Sequence, residues 1–309
     1  MSTSVIAISN ANARKVASQG SSFSKGLLPP GARHHFTQSP QDLRQVFDNA
    51  ANTDVSHLVI EGGDGTVRST LTALLNFYPQ SKALPAISII PQGTTNQIAR
   101  TLGVKKLSDL THIFHGSFKT VSMPLVKIDS NLSTAQYGFL FSTGALPYVS
   151  QFAQDKLNAK GVGGGPAVIG AIIKAVTTKR DTLMPPAQHS LKGMIKGQII
   201  TEHDGETLGT IMTTLPTLML GLDPFWGEED AQLRLTWADT KSEKLGRNVA
   251  GIWAGRKKNR SLHGYHSHNI EKLDLTTNAP ATLDGDFIDI SGQELHISTS
   301  RPVTFWVKK

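Results

Sequence analysis

None of the 309 residues is cysteine, which excludes disulfides, thiolate nucleophiles, zinc ribbons and cysteine-held iron–sulfur clusters. Long apolar runs are also missing: stretches such as Ala167–Ile173 fall well short of the ~18–20 residues that a membrane span needs. No charged side chain precedes Arg14, so the charged start of a secretory leader is absent and none is expected. Charged residues make up only 18%, with 24 acids against 31 Lys and Arg, a formal charge of +7. With 39% apolar residues the chain can bury a sizeable core, and its length suits two domains. A reduced, cytoplasmic protein is expected. Its positive balance suits an anionic partner: a nucleotide, a nucleic acid or a lipid headgroup.

The first half alternates strands and helices. Val5–Ile8 reads as a strand with Asn10 after it, and the Gly-, Ser- and Pro-rich stretch Ser18–Gly31 leaves room for only a short helix. Ala32–Thr37 reads as a second strand. Ser39-Pro40 then caps a helix with Asp42 in its first turn and Leu43, Val46 and Phe47 on one face. His57–Ile60 runs as a strand to Gly62, Thr66–Phe77 as a helix, Ala86–Ile90 as a strand and Asn96–Leu102 as a helix. This rhythm implies a parallel sheet in an open α/β layer, with ligands at the carboxyl ends of its strands.

Beyond about Val121 short alternating segments dominate: Leu125–Ile128, Tyr137–Phe141, Ile195–Thr201, Leu208–Thr213, Leu233–Trp237, Glu271–Leu275, Phe287–Ile290, Glu294–Ser298 and Val303–Val307. They predict an antiparallel, β-rich sandwich or barrel. The exception is Lys160–Gly165, which leads into an apolar helix over Pro166–Val176. The expected division is an α/β domain over 1–122 and a β-rich domain over 123–309. The last strand is free to return to the first domain.

Two turns carry the chemistry. Gly62-Gly63-Asp64-Gly65-Thr66 lies between a strand and a helix, where glycines let backbone N–H groups approach phosphates and a carboxylate can position magnesium. Neither a Walker loop nor GxGxxG is present, because no Lys-Ser/Thr follows these glycines. Pro91-Gln-Gly-Thr-Thr-Asn96 also joins a strand to a helix and ends on Asn96, a good N-cap. After adjacent strands, both turns would face one crevice. Near the C-terminus, Leu283-Asp-Gly-Asp286 reads on its own as a hairpin connector.

Together, GGDGT and PQGTTNQIAR resemble the diacylglycerol kinase catalytic domain shared by bacterial lipid kinases and sphingosine or ceramide kinases. NAD kinases and phosphofructokinases belong to the same wider superfamily. The resemblance implies an α/β domain followed by a β-rich one, ATP and Mg2+ as cofactors, and a lipid hydroxyl as acceptor, in diacylglycerol or a sphingoid lipid. It places Asn10 and Thr37 against the nucleotide. Gly62, Gly63, Asp64, Gly65, Thr66 and Ser69 fall around the phosphates, and Gly93, Thr94, Thr95 and Asn96 line the same crevice. Asp64 is the expected catalytic acid and magnesium holder. Asp284, ahead of Asp286, is the expected proton acceptor, both facing one way along an extended chain.

Departures accompany the likeness. Position 97, usually Asp, is Gln97, and Ser122-Met-Pro124 lacks the acid often found there, so a catalytically impaired nucleotide- or lipid-binding homologue is the alternative, ahead of an NAD kinase. Glu228-Glu229-Asp230 resembles the place where relatives hold a structural divalent ion, with Asp230 the candidate ligand, but also reads as a solvated loop. The imidazoles of His263, His266 and His268 read as a surface hairpin, and Phe225, Trp226 and Trp253 as core aromatics. Arg256–Arg260, four cations in five residues, suits anionic phospholipid, hence a peripheral place at the inner membrane face, and equally reads as a solvated loop. No nucleic-acid partner is expected, since aromatics do not interleave with the basic run. A homodimer is an open expectation.

Overall fold

The computed structural model describes residues 4–25, 28, 31–93, 96–104, 118–130, 133–148, 185–218, 223–240, 242, 264–290 and 292–308. The expectations at Thr94, Thr95, Gly161–Gly165, Pro166–Val176, Trp253, Arg256–Arg260 and His263, and for the side chain of Gln97, lie outside the described residues.

In the first half, β1 (Ser4–Asn10), β2 (Arg33–Thr37), β3 (Val55–Gly62) and β4 (Ala86–Pro91) form a parallel sheet. β1, β3 and β4 are nearly continuous runs of buried residues, as parallel strands covered on both faces require. The strand order is β2-β1-β3-β4-β17-β5, where β5 is Phe118–Met123 and β17 is the C-terminal Val303–Lys308. Thus β17 lies beside β4, with Phe305 opposite Ile87, and antiparallel to β5.

Among the described residues, four helices connect these strands: α1 (Arg14–Gln19), α2 (Pro40–Ala50), α3 (Asp64–Phe77) and α4 (Gln97–Thr101). A 3-10 turn over Ser22–Lys25 follows α1. The start of α2 is closed by a capping box, in which Asp42 N donates to Ser39 Oγ and Ser39 N to Asp42 Oδ2. Val67, Leu71, Leu74 and Leu75 form the buried stripe of α3. This helix begins at Asp64 rather than Thr66, because Val67 N already donates to Gly63 O.

The second half is antiparallel. Its strands are β6 (Val126–Ser130), β7 (Ser133–Gly138), β8 (Leu140–Gly144), β9 (Ala187–Ile195), β10 (Gln198–Thr213), β11 (Leu233–Asp239), β12 (Tyr265–Ile270), β13 (Lys272–Thr277), β14 (Ala281–Leu283), β15 (Asp286–Ile288) and β16 (Glu294–Thr299). The order β15-β14-β8-β10-β9-β13-β16-β6 builds the sheet, and β11 joins β10 to β12. Its core includes Phe141, Leu191, Met212, Leu235, Trp237, Leu273, Leu283 and Ile297.

Two predicted strands prove to be broken. Ile195–Thr201 straddles a two-residue hairpin turn, Lys196-Gly197, with φ of 50° and 77°. Lysine is not a residue that announces left-handed geometry, so the turn was hidden. Tyr137–Phe141 is interrupted at Phe139, where the backbone N–H groups of Phe139 and Leu140 both donate to Asp284 Oδ1.

The chain divides into two units, one comprising Met1–Leu125, Ala135–Gly138 and Ser300–Lys309, the other Val126–Thr134 and Phe139–Thr299. No helix among the described residues is long and apolar enough to cross a membrane.

Candidate functional site

At the carboxyl ends of β1, β3 and β4, the first unit gathers most of the residues singled out in the sequence. Asn10 pairs with Thr37 across β1 and β2, and Ala11 N donates to Thr37 O. The Asn10 side chain donates through Nδ2 to Thr66 Oγ1 at 3.0 Å and accepts from Asn12 N at 2.9 Å. It therefore ties the end of β1 to the first turn of α3. Gly65 is exposed and Ser69 half-buried further along that helix.

The two glycine turns meet backbone to backbone. Gln92 N donates to Gly62 O at 2.9 Å, and a Cβ on Gly93 would fall 2.5 Å from Gly63 Cα. On Gly63 a Cβ would lie 3.0 Å from Gly93 Cα. Real side chains do not fit at such separations, so glycine is required here for close approach rather than for an unusual φ. Space that a Cβ would fill is what a phosphate cradle built from backbone N–H groups needs.

Asn96 sits at the start of α4, but its side chain does not cap the helix. Its backbone is left-handed (φ 48°), and its side chain turns back on Gly93, accepting from Gly93 N and donating to Gly93 O, each at 2.7 Å. Asp64 takes over the capping: its Oδ1 accepts from Ile98 N at 2.8 Å. A carboxylate from one glycine turn thus fixes the helix that follows the other.

One acid at this site escaped the sequence reading. Glu61, the residue before Gly62, has no exposed surface. Its Oε2 accepts from Ser9 Oγ and Ser21 Oγ, each at 2.6 Å, and its Oε1 from Ser22 N at 2.7 Å and Gln92 Nε2 at 3.3 Å. Burial pushes the Glu61 carboxyl up, but hydrogen bonds from Ser21, Ser22 and Ser9 outweigh it and hold the group below the usual carboxylate range. A lone acid ending an otherwise apolar strand was the available signal.

In the second unit, Asp284 and Gly285 connect β14 to β15 with φ of 54° and 90°, and Leu283 faces Asp286 across the turn. The two aspartates therefore flank a tight turn and do not share a face of an extended strand. Asp284 is half-buried and its Oδ1 binds the N–H groups of Phe139 and Leu140, both at 2.9 Å, whereas Asp286 is exposed.

Asp230 is exposed, and its neighbour Glu229 is committed to His268 Nδ1 at 2.7 Å and Asn269 N at 2.8 Å. His266 stacks on Trp237 with centroids 3.8 Å apart, so these imidazoles belong to β12 and its neighbours. Phe225 is core, as expected. Among the described residues, the only cluster of metal-capable side chains is Asp274, Glu294 and His296 on the sheet surface, which includes neither Asp64 nor Asp230.

Comparison with known proteins bears on the first unit. Residues 6–126 match the diacylglycerol kinase catalytic domain family. The "Probable lipid kinase YegS" of Salmonella arizonae is 26% identical over 145 residues, 45% of each chain. The "Probable lipid kinase YegS-like" of Yersinia pestis is 23% identical over 263 residues, 83% of this chain and 80% of that one. The matched stretch thus spans less than half the length of the first of these relatives. A solved structure from Bacillus anthracis superposes with a TM-score of 0.66 at 17% identity, covering 99% of this chain and 97% of that one. A second from the same organism, named a diacylglycerol kinase, superposes at 0.59 with 15% identity and the same coverage. At these identities the structures establish the fold, α/β followed by antiparallel β.

Proposed function

We propose that the protein is an ATP-dependent lipid kinase that transfers the γ-phosphoryl group to a hydroxyl of diacylglycerol or a sphingoid lipid. The observation that carries this reading is the backbone contact between the Gly62–Thr66 and Pro91–Asn96 turns, which brings two glycine turns together at the carboxyl ends of adjacent parallel strands. Phosphoryl transfer depends mainly on positioning and charge stabilisation, which such turns supply. Asp64 offers a hard oxygen ligand suited to Mg2+, which takes one or two carboxylates together with substrate phosphates. Bound there, magnesium would neutralise charge on the transferred group. The lipid oxygen forms its bond to the γ-phosphorus as the bond to the β-phosphate oxygen breaks and ADP leaves. The hydroxyl proton goes to a carboxylate, which the family resemblance assigns to Asp284, with Asp286 the alternative.

Asp284→Asn provides the test. Asparagine tolerates left-handed φ and can still accept both N–H bonds through Oδ1, so the hairpin should survive. Turnover at saturating ATP and lipid should fall at least ~100-fold, the scale of a general-base contribution. Normal turnover in both this variant and Asp286→Asn would remove the assignment.

A second reading is supported by the same contacts. Asp64 and Asp284 each accept backbone N–H bonds, a structural use that a catalytically impaired nucleotide-binding homologue would also retain. Nucleotide binding without transfer to any lipid in mixed micelles would favour it.

A lipid acceptor implies visits to a bilayer, and an anionic membrane face is the proposed partner. The β9–β10 tip exposes Ile199 and Ile200 beside Lys196. Binding to anionic vesicles should weaken with added salt, because exposed charges are screened over about 8 Å at physiological ionic strength.

A further inference from the structure

The buried carboxylate of Glu61 has no role in the reaction just described, yet it accepts four hydrogen bonds. Its donors come from three places: Ser9 at the end of β1, Ser21 and Ser22 between α1 and β2, and Gln92 just after β4. Each strand-end member stands one residue before a residue of the crevice. Ser9 precedes Asn10, Glu61 precedes Gly62, and Gln92 precedes Gly93. Ser9 and Glu61 are direct partners in the β1–β3 register, and Gly62 pairs with Pro91 across β3 and β4.

Proton accounting makes the cluster directional. Ser9 and Ser21 each have one hydroxyl proton, and both go to Glu61 Oε2. The contact of 2.9 Å between Ser9 Oγ and His34 Nε2 therefore has histidine as donor. A chain of donors runs from His34, near the start of β2, through Ser9 to the carboxylate, so β2 and the carboxyl ends of β1, β3 and β4 share one charge. Gln92 Nε2 also donates to Ser22 Oγ at 2.8 Å, which holds the Ser21–Ser22 segment to the second turn. An apolar side chain would fill this strand position without the desolvation penalty of a buried charge. The excess polarity is spent where two phosphate turns must keep a fixed separation.

We propose that Glu61 is a positioning residue for the nucleotide, locking Asn10, Gly62 and Gly93 from behind so that the two turns present a preorganised cradle. The inference rests on the nucleotide-binding reading of this unit. Direct titration of Mg·ATP by calorimetry, with no lipid present, tests it in wild type, Glu61→Gln, Glu61→Ala and Ser21→Ala. Thermal melts and the ATP KM against kcat, with a short-chain diacylglycerol as acceptor, accompany each titration. Ser21→Ala removes a single donor and keeps the core intact, so it guards against a folding failure in the Glu61 variants. Expected are an ATP affinity weakened about 10-fold in Glu61→Gln, more in Glu61→Ala and about 3-fold in Ser21→Ala. The KM for lipid should stay unchanged. Lowered melting temperatures with unchanged ATP affinity, in variants beside a wild type that binds, would make Glu61 purely structural and overturn the inference alone. A wild type that binds no ATP would overturn the nucleotide reading and this inference with it.

Discussion

Asp64 has two tasks that a pair of substitutions can separate. Its negative charge faces the glycine turn, while its Oδ1 satisfies Ile98 N at the start of α4. Asparagine keeps the acceptor and loses the charge; alanine loses both. Asp64→Asn should therefore melt close to wild type while phosphoryl transfer is abolished. Asp64→Ala should also lose about 1 kcal/mol, the usual worth of an N-terminal cap. Equal stability losses in a denaturant titration of the two variants would show that the capping bond is not a stabilising one. His57 contributes to the acid limit, as do the other histidines whose burial lowers their pKa, among them His189. His57 is buried on β3, with its ring 4.3 Å from that of Trp306 and Nε2 3.0 Å from Ser88 Oγ, and burial lowers its pKa to about 4. The unfolded chain takes up this proton below about pH 6.5, whereas the folded one resists until about 4. The stability loss begins as pH falls through 6.5 and grows to about 3 kcal/mol near pH 4, at ~1.4 kcal/mol per unit. His57→Leu should flatten that limb in melts recorded from pH 7 to 4. An unchanged slope would assign the acid sensitivity to other groups.

At the scale of elements, the two glycine turns act together. Gly93→Ala places a methyl group against Gly63 Cα, a backbone atom that cannot rotate away, and 3.0 Å from Asn96 Oδ1. The turns must separate by several tenths of an ångström. That displacement should cost about 1–3 kcal/mol of stability, as overpacking does. It should also weaken Mg·ATP at least ~10-fold, since preorganised donors are effective only at their set distance. A variant that binds ATP like wild type would show that the contact is not part of the cradle. The strands and helices of this unit were legible in the sequence because their signals are local. Apolar runs marked β1, β3 and β4, Ser39-Pro40 marked α2, and paired glycine motifs marked the turns. What stayed hidden was the exchange of partners between elements. Asn96 has the residue type of an N-cap, yet the cap of α4 comes from Asp64, 34 positions before the Ile98 it binds. The sequence offers Glu61 as a lone acid but not its role, because its partners at Ser9, Ser21 and Gln92 are brought to it only by the fold. The Asp284-Gly285 hairpin was readable from its dipeptide, whereas its grip on Phe139 and Leu140 was not.

For the whole molecule, the decisive feature is that the first unit is discontinuous. Its sheet is interrupted in sequence by nearly the entire β-rich unit and completed by the last ten residues, Ser300–Lys309. β17 is an interior strand of that sheet: β4 lies on one side and β5 on the other. Val303, Phe305 and Val307 are each at most 1% exposed, and Arg301 donates from its guanidinium to the carbonyls of Tyr78, Gln80 and Lys82. Every motif that suggests nucleotide binding lies before residue 101, so a reading by motifs alone would expect a chain ending at Thr299 to keep the activity. The sheet argues otherwise. Removing β17 strips one of its two neighbours from β4, the strand whose end carries the Gln92-Gly93 turn, and opens three fully buried side-chain sites. A single large-to-small change within it, Phe305→Ala, should cost about 3–5 kcal/mol. Deletion of the whole strand exceeds the 5–15 kcal/mol by which domains are ordinarily stable. The chain ending at Thr299 should therefore lose Mg·ATP binding and protease resistance over residues 4–123, and Phe305→Ala should lower the melting temperature of the transition that ATP raises. A truncated chain that still binds ATP with wild-type affinity would mean that β17 is dispensable and that β1 to β4 form the cradle unaided.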